Sequence, residues 1–241
     1  VDDVAVVQLY ADGFRNLATR ERILAWHLYL AAIAGRDIYY DQRHVHNLEM
    51  RSLLEAIVTH DADIDPAVLA EVRRYTKLFW INTGPYNNLT ARKFLLRLTP
   101  EQLLGAAQAA ERAGARLTLR AGETVAALVQ RLAPMFFDPA VDPMVTSKTP
   151  GEGRDILQSS ANNLYVDVTM DDLDRFSERY GLNSRLVARH GRDGSRQLVE
   201  EVYRVGGKYD AEIRRIVGHL RDAIPYATAE MTEALQALIR F

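Results

Sequence analysis

The sequence predicts an α+β fold, with a mostly helical N-terminal half followed by a small antiparallel sheet or partial barrel with flanking helices. Three observations carry this. From Thr19 to Ala133, apolar side chains recur at steps of three and four behind repeated cap signals. The stretch 134–153 (PMFFDPAVDPMVTSKTPGEG) then holds four prolines and two glycines, a composition that interrupts helices. Beyond it, SRLVARH and RQLVEEVYRV flank Gly191-Arg192-Asp193-Gly194, a hairpin by its turn residues and β-branched content. The organisation is therefore a helical region at 1–135, a Pro/Gly-rich loop at 136–153 and an α+β region at 154–241.

Taken in order, residues 4–10 (VAVVQLY) have the composition of a short strand. Thr19 is placed to cap ERILAWHLYLAAIAG, and Gly35 to stop it. Residues 36–60 keep helical spacing through Ile38, Tyr39, Leu48, Leu53, Leu54 and Ile57. Asp65-Pro66 opens the next helix, an N-cap followed by proline in the first turn, and its apolar face is Val68, Leu69, Val72, Leu78 and Phe79. Thr99-Pro100 repeats the device, with Gln102 at the capping-box position, and Ala-rich helices follow. After the loop, NLYVDV (163–168) alternates like a strand, and Thr169 opens a helix over 169–180. Helices at Tyr209–Ala223 and Thr228–Phe241, split by Pro225, end the chain. The chain opens on Val1, and its last helix stops on an apolar residue without Gly, Asn or Pro, so it reads as cut inside or just after a helix.

Composition narrows the function. The 241 residues are 48% hydrophobic and 26% charged, ordinary globular values. Lys plus Arg is 30 against 32 for Asp plus Glu, without the basic stripe of a nucleic-acid binder. The absence of cysteine excludes disulfides, thiolate nucleophiles and Cys-rich zinc sites. No apolar run approaches the ~20 residues of a membrane span, and no signal pattern opens the chain. A cytoplasmic protein without nucleic-acid or membrane partners is the expectation.

No complete catalytic constellation is present. The six histidines form no H-E-x-x-H run. His44 and His46, two apart on a predicted helix, point in different directions and read as surface or core residues, so no metal ligand is assigned. Gly206-Gly207 before a helix is a weak anion-site signal that a strand-to-helix turn explains equally. No G-x-S-x-G occurs, and the adjacent carboxylates Glu200-Glu201 and Asp171-Asp172 face apart on regular structure. The unusual segment is KLFWINTGPYNNLTARKF (77–94), where Phe79, Trp80 and Tyr86 stand beside Asn82, Asn87 and Asn88. Amides offer a donor and an acceptor to an extended peptide, and the rings offer apolar subsites, so Asn82, Tyr86, Asn87 and Asn88 are candidate substrate-binding residues. The competing reading is a helix C-terminus with Asn caps and core aromatics.

That segment, with AAIAGRDIYYDQRHVHNLEMRSLLEAI (31–57), FFDPAVDPMVTSKTPGEGRDILQSSANNLYVDVTMDDL (136–173), GLNSRLVARHG (181–191) and LVEEVYRVGGKYDAEIRRIVGHLRDAIPYAT (198–228), resembles the bacterial dipeptidyl peptidase III-like zinc exopeptidases, in order and over nearly the whole chain. The resemblance implies a two-lobed metallopeptidase that removes dipeptides from the N-termini of short peptides. Its zinc is held by a His-Glu-x-x-x-His helix and a second motif that brings another Glu, neither of which this sequence contains. The chain then corresponds to the early part of the non-zinc lobe. Its zinc, its partner lobe and the groups that grip the substrate's amino terminus are expected past Phe241. The family's Gly-x-Tyr-x-x-aromatic turn lines an apolar subsite; here it reads Gly84-Pro85-Tyr86-Asn87-Asn88-Leu89, so the resemblance implies Leu89, in place of the ring, as a fifth substrate-binding candidate. The expectation is a non-catalytic, cleft-forming portion of such an enzyme that contacts short peptides. The alternative is a stand-alone peptide-binding or scaffold protein.

Overall fold

The computed structural model describes residues 1–2 and 4–241. The fold is α+β, with helices through the first half, a three-stranded mixed sheet and flanking C-terminal helices. The chain forms two compact units. The larger comprises Val1–Ala5, Tyr40–Glu178 and Leu186–Val199; the smaller comprises Val6–Tyr39, Arg179–Arg185 and Glu200–Phe241. Helix α1 (Thr19–Arg43) contributes to both.

In the larger unit, α2 (Asn47–Thr59), α3 (Pro66–Asn82), α4 (Pro100–Arg112) and α5 (Val125–Phe137) share one core. Their spacing is the reason. Met50, Leu53, Leu54 and Ile57 line one face of α2, and Val68, Val72, Tyr75 and Phe79 line one face of α3; all are buried. Ala106, Ala107 and Ala110 give α4 a shallow face that admits close packing. At the centre, the Tyr75 ring meets Phe94 edge-on at 5.2 Å and Phe136 at 5.6 Å. The start signals at Asp65 and Thr99 act as expected: Asp65 accepts hydrogen bonds from the Ala67 and Val68 amides, and Thr99 and Gln102 form a reciprocal capping box. Thr124 likewise caps α5, whereas Thr19 is already the first helical residue of α1. Pro134 lies inside α5, which ends three residues later at Phe137.

The sheet follows. Strand β1 (Tyr165–Val166) runs parallel to β2 (Ser184–His190), with Tyr165 opposite Leu186 and Val166 opposite Val187. β2 and β3 (Arg196–Val202) form the hairpin, closed by a hydrogen bond from the Gly191 amide to the Ser195 carbonyl and by Gly194 at φ +81°. The sheet is thus mixed rather than antiparallel, because a crossover and not a hairpin joins β1 to β2. The crossover holds only a one-turn helix, α6 (Met170–Leu173), shorter than the spacing of 169–180 suggests. Thr169 caps it in a box with Asp172, and Arg196 grips the same carboxylate. Val168, Leu186 and Ala188 form a small apolar centre over which Leu157, Leu173 and Phe176 close.

In the smaller unit, α7 (Asp210–Ala223), a short turn at Ile224–Tyr226 and α8 (Ala229–Arg240) pack with α1 around Leu24, Ala223 and Ala227. Arg20 donates to the carbonyls of Tyr226 and Ala227, at 3.0 and 2.6 Å. Gly35 does not stop α1. The helix runs through it, and a Cβ there would meet Ile216 Cδ1 of α7 at 3.2 Å, so the glycine permits a close approach. Residues 4–10 form no strand, and Val7, Leu9 and Tyr10 are exposed: no described segment offers them a partner ladder. Among the described residues no helix is long and apolar enough to cross a membrane.

Candidate functional site

The Asn-rich segment forms a short, closed loop at the end of α3. Thr83 takes the left-handed conformation (φ 54°) and Gly84 follows at φ +133°, its amide bonding back to the Phe79 carbonyl. Only glycine fits: a Cβ at Gly84 would stand 2.5 Å from Asn47 Nδ2, which itself donates to the Tyr40 and Thr83 carbonyls. Past Pro85, Tyr86 pairs antiparallel with Lys93, and Arg92 with Met144. The Asn87 amide donates to the Arg92 carbonyl and the Ala91 amide to the Asn87 carbonyl, which closes the loop.

The five candidate side chains separate into two roles. Tyr86 is fully buried, and its hydroxyl donates to the Asp142 carbonyl at 3.0 Å. Burial pushes its ionisation far above the usual tyrosine range. Asn82 is only 4% exposed. Its Nδ2 donates to the Leu78 carbonyl and its Oδ1 accepts from the Asn88 amide, at 2.9 and 3.0 Å, which ties α3 to the loop. Asn87 Oδ1 accepts from the amides of Leu89 and Thr90 and folds the tip into an Asx turn. Outward stand Asn88, exposed, and Leu89, 95% exposed. Trp80 is 45% exposed nearby in sequence and donates Nε1–H to Glu55.

Behind Tyr86 lies a polar support that the sequence does not announce. His44 and His46 are in the turn between α1 and α2, not on a helix. The His46 amide donates to His44 Nδ1, so the ring proton sits on Nε2 and is donated to Asp142 Oδ2 at 3.2 Å. Burial lowers the pKa of His44 below its ordinary value of 6.5, against the pull of Asp142. Asp142 is held below the usual carboxylate range by the same hydrogen bond. His46 is engaged separately, by Glu49. Lys93, its pKa lowered by burial, donates to the Val141 and Pro134 carbonyls. Among the described residues, the one group of side chains placed to hold a metal ion lies elsewhere, at His27, His219 and Asp222.

The other sequence signals resolve into structural roles. Glu200 accepts from the Arg179 and Tyr180 amides and Ser184 Oγ, while Glu201 pairs with Arg185 across the hairpin. The Gly206 amide, a candidate anion donor, is taken by the Asp210 carboxylate. Two features escaped the sequence. One is a polar concavity of about 610 Å³ beside the sheet, lined by Arg154, Gln158, Asp167, Thr169, His190 and Arg196; its residues are scattered in sequence, although Arg196 is already neutralised by Asp172. The other is the group His27, His219 and Asp222, in which the i, i+3 spacing of the last two was the one legible sign.

No protein-family model matches the sequence, and no curated protein matches it. Among solved structures the fold is similar to one described as "Structure of DPP III from Caldithrix abyssi", with a TM-score of 0.54 at 18% identity. The likeness covers 96% of this chain and 32% of that one, so the chain spans about a third of the length of the protein it matches. What the two share at this identity is the fold.

Proposed function

We propose that this chain is a non-catalytic, cleft-forming portion of a zinc-dependent dipeptidyl peptidase, and that the loop at 87–90 is part of its peptide-contacting wall. The observation that carries the reading is the fold likeness to DPP III over nearly the whole chain. The loop adds a local argument. It presents an exposed amide, Asn88, and an exposed apolar side chain, Leu89, on a frame fixed by Asn82, Tyr86 and Asn87. An exposed amide matches the alternating donors and acceptors of an extended peptide, and an apolar side chain beside it suits one substrate side chain. Asn82, Tyr86 and Asn87 then serve the substrate indirectly, by holding the tip.

The residues present do not fit the catalytic zinc of that family, because the sequence holds no His-Glu-x-x-x-His run. In this reading the zinc, which would polarise the scissile carbonyl and activate water, belongs to a further part of the polypeptide. This chain contributes shape and backbone contacts for short peptides.

The test is the encoding frame and its product. A frame that continues past Phe241 to a His-Glu-x-x-x-His helix, with a product that releases dipeptides from chromogenic substrates, supports the proposal. In that product Asn88→Ala or Leu89→Ala raises KM roughly three- to tenfold, the worth of one lost contact of about 0.5–1.5 kcal/mol. A frame that stops after Phe241 overturns it in favour of a stand-alone peptide-binding protein. Zinc-stimulated dipeptide release by the isolated chain, following the protein through gel filtration, also overturns it.

A further inference from the structure

Away from the loop, α1 and α7 bring three potential metal ligands together within the smaller unit. His219 and Asp222 are three apart on α7 and so share one face, which meets His27 on α1. The imidazole centroids of His27 and His219 lie 6.2 Å apart, and one ligand atom from each of the three residues falls within 4.8 Å of the others. No other described group of three acidic or imidazole side chains comes as close. Its elements are held independently: Gly35 lets α7 approach α1, and Arg20 ties α1 to the carbonyls of Tyr226 and Ala227.

A second observation points to a ligand. Nδ1 of His27 and Nδ1 of His219 are both buried and both lack a hydrogen-bond partner. A buried imidazole nitrogen ordinarily has one, and two orphans in a single contact are unusual. The His27 ring also stacks on Tyr226, with centroids 6.1 Å apart and planes 17° from parallel, which restrains its orientation. Nothing comparable holds at His44 and His46: both ring nitrogens of His44 and Nδ1 of His46 are engaged by protein groups.

We propose that His27, His219 and Asp222 bind a divalent transition-metal ion, zinc being the best match, that pins α7 to α1. Two imidazoles and a carboxylate suit a borderline cation of the zinc class, whereas calcium and magnesium take oxygen-only shells. Three protein ligands leave a fourth position for water. The ligand atoms lie within 4.8 Å of one another, and Asp222, exposed at the rim, is the side chain that can adjust to bonds of roughly 2.0–2.2 Å. The site does not depend on the peptidase reading, and its role is to fasten two helices.

Calorimetric titration of the metal-free chain with zinc chloride tests the proposal, with cobalt(II) absorption reporting coordination. One equivalent of zinc should bind and raise the melting temperature, and His27→Ala or His219→Ala, each removing a direct ligand, should weaken binding by more than the roughly 10–100-fold that loss of an outer-shell partner costs. Asp222→Asn, at an exposed position, keeps the test open should either histidine variant fail to fold, and it should lose the cobalt bands. His46→Ala should bind as the parent does. Absence of stoichiometric binding, or binding that survives the His219 and Asp222 substitutions or disappears with His46→Ala, overturns the proposal.

Discussion

The division between frame and tip in the Asn-rich loop can be tested by substituting across it. Tyr86 is fully buried and donates one hydrogen bond to the Asp142 carbonyl. Tyr86→Phe keeps the ring and loses that bond, at a cost of about 1 kcal/mol. Tyr86→Ala also empties the space of a buried ring, for which the expected cost is about 3–5 kcal/mol. At about 2–4 °C per kcal/mol, the first variant melts a few degrees lower and the second on the order of 6–20 °C lower. Leu89→Ala removes a side chain that is 95% exposed and should change stability by less than about 0.5 kcal/mol. Paired urea and thermal unfolding curves, followed by the fluorescence of the chain's two tryptophans, measure all three. A Tyr86→Ala protein as stable as its parent, or a Leu89→Ala protein several degrees less stable, would refute the assignment of frame and tip.

Three further outcomes follow from the same geometry. Gly84→Ala places a Cβ 2.5 Å from Asn47 Nδ2 at φ +133°, and the backbone strain alone should cost roughly 1–3 kcal/mol in a urea titration, with the collision adding to it. Gly35→Ala should also destabilise, by less than Gly84→Ala: its Cβ would stand 3.2 Å from Ile216 Cδ1, and the overpacking, about 1–3 kcal/mol, outweighs the up to ~1 kcal/mol that alanine gains inside a helix; calorimetric melting checks it. The pKa of His44 lies below its ordinary 6.5, so on acidification the unfolded chain takes up that proton first. Stability should therefore fall as pH drops through about 6.5, level off once the folded ring is protonated, and show a shallower slope in His44→Gln, as read from urea midpoints across the range.

Much of the fold is written in local signals. The caps at Asp65, Thr99 and Thr169 and the Gly191–Gly194 turn depend on neighbours within four residues, and each forms where its residues predict. Gly35 failed as a stop signal because its purpose is tertiary: α7 needs the room, and only the fold reveals that. The parallel pairing of β1 with β2 was equally hidden, since composition marks a strand but not its partner. At the loop, the sequence singled out a segment without separating the uses of its residues. Tyr86 and Asn82 have the chemistry of binding groups, yet burial commits both to the frame, and no periodicity over so short a stretch distinguishes the two uses. The polar support of His44 and Asp142 joins residues about a hundred positions apart and left no local trace.

The self-closure of the 87–90 tip has a thermodynamic consequence. Ordering one residue of a mobile loop costs about 1–2 kcal/mol of conformational entropy, a penalty that a flexible binding loop incurs when its ligand arrives. Here the amides of Asn88, Leu89 and Thr90 are already engaged by Asn82 and Asn87 before any ligand is present. Their hydrogens should exchange slowly with solvent for so exposed a position. If a peptide docks on Asn88 and Leu89 as proposed, it meets a backbone already closed by hydrogen bonds, and the heat of association should carry little of the compensation that accompanies loop ordering.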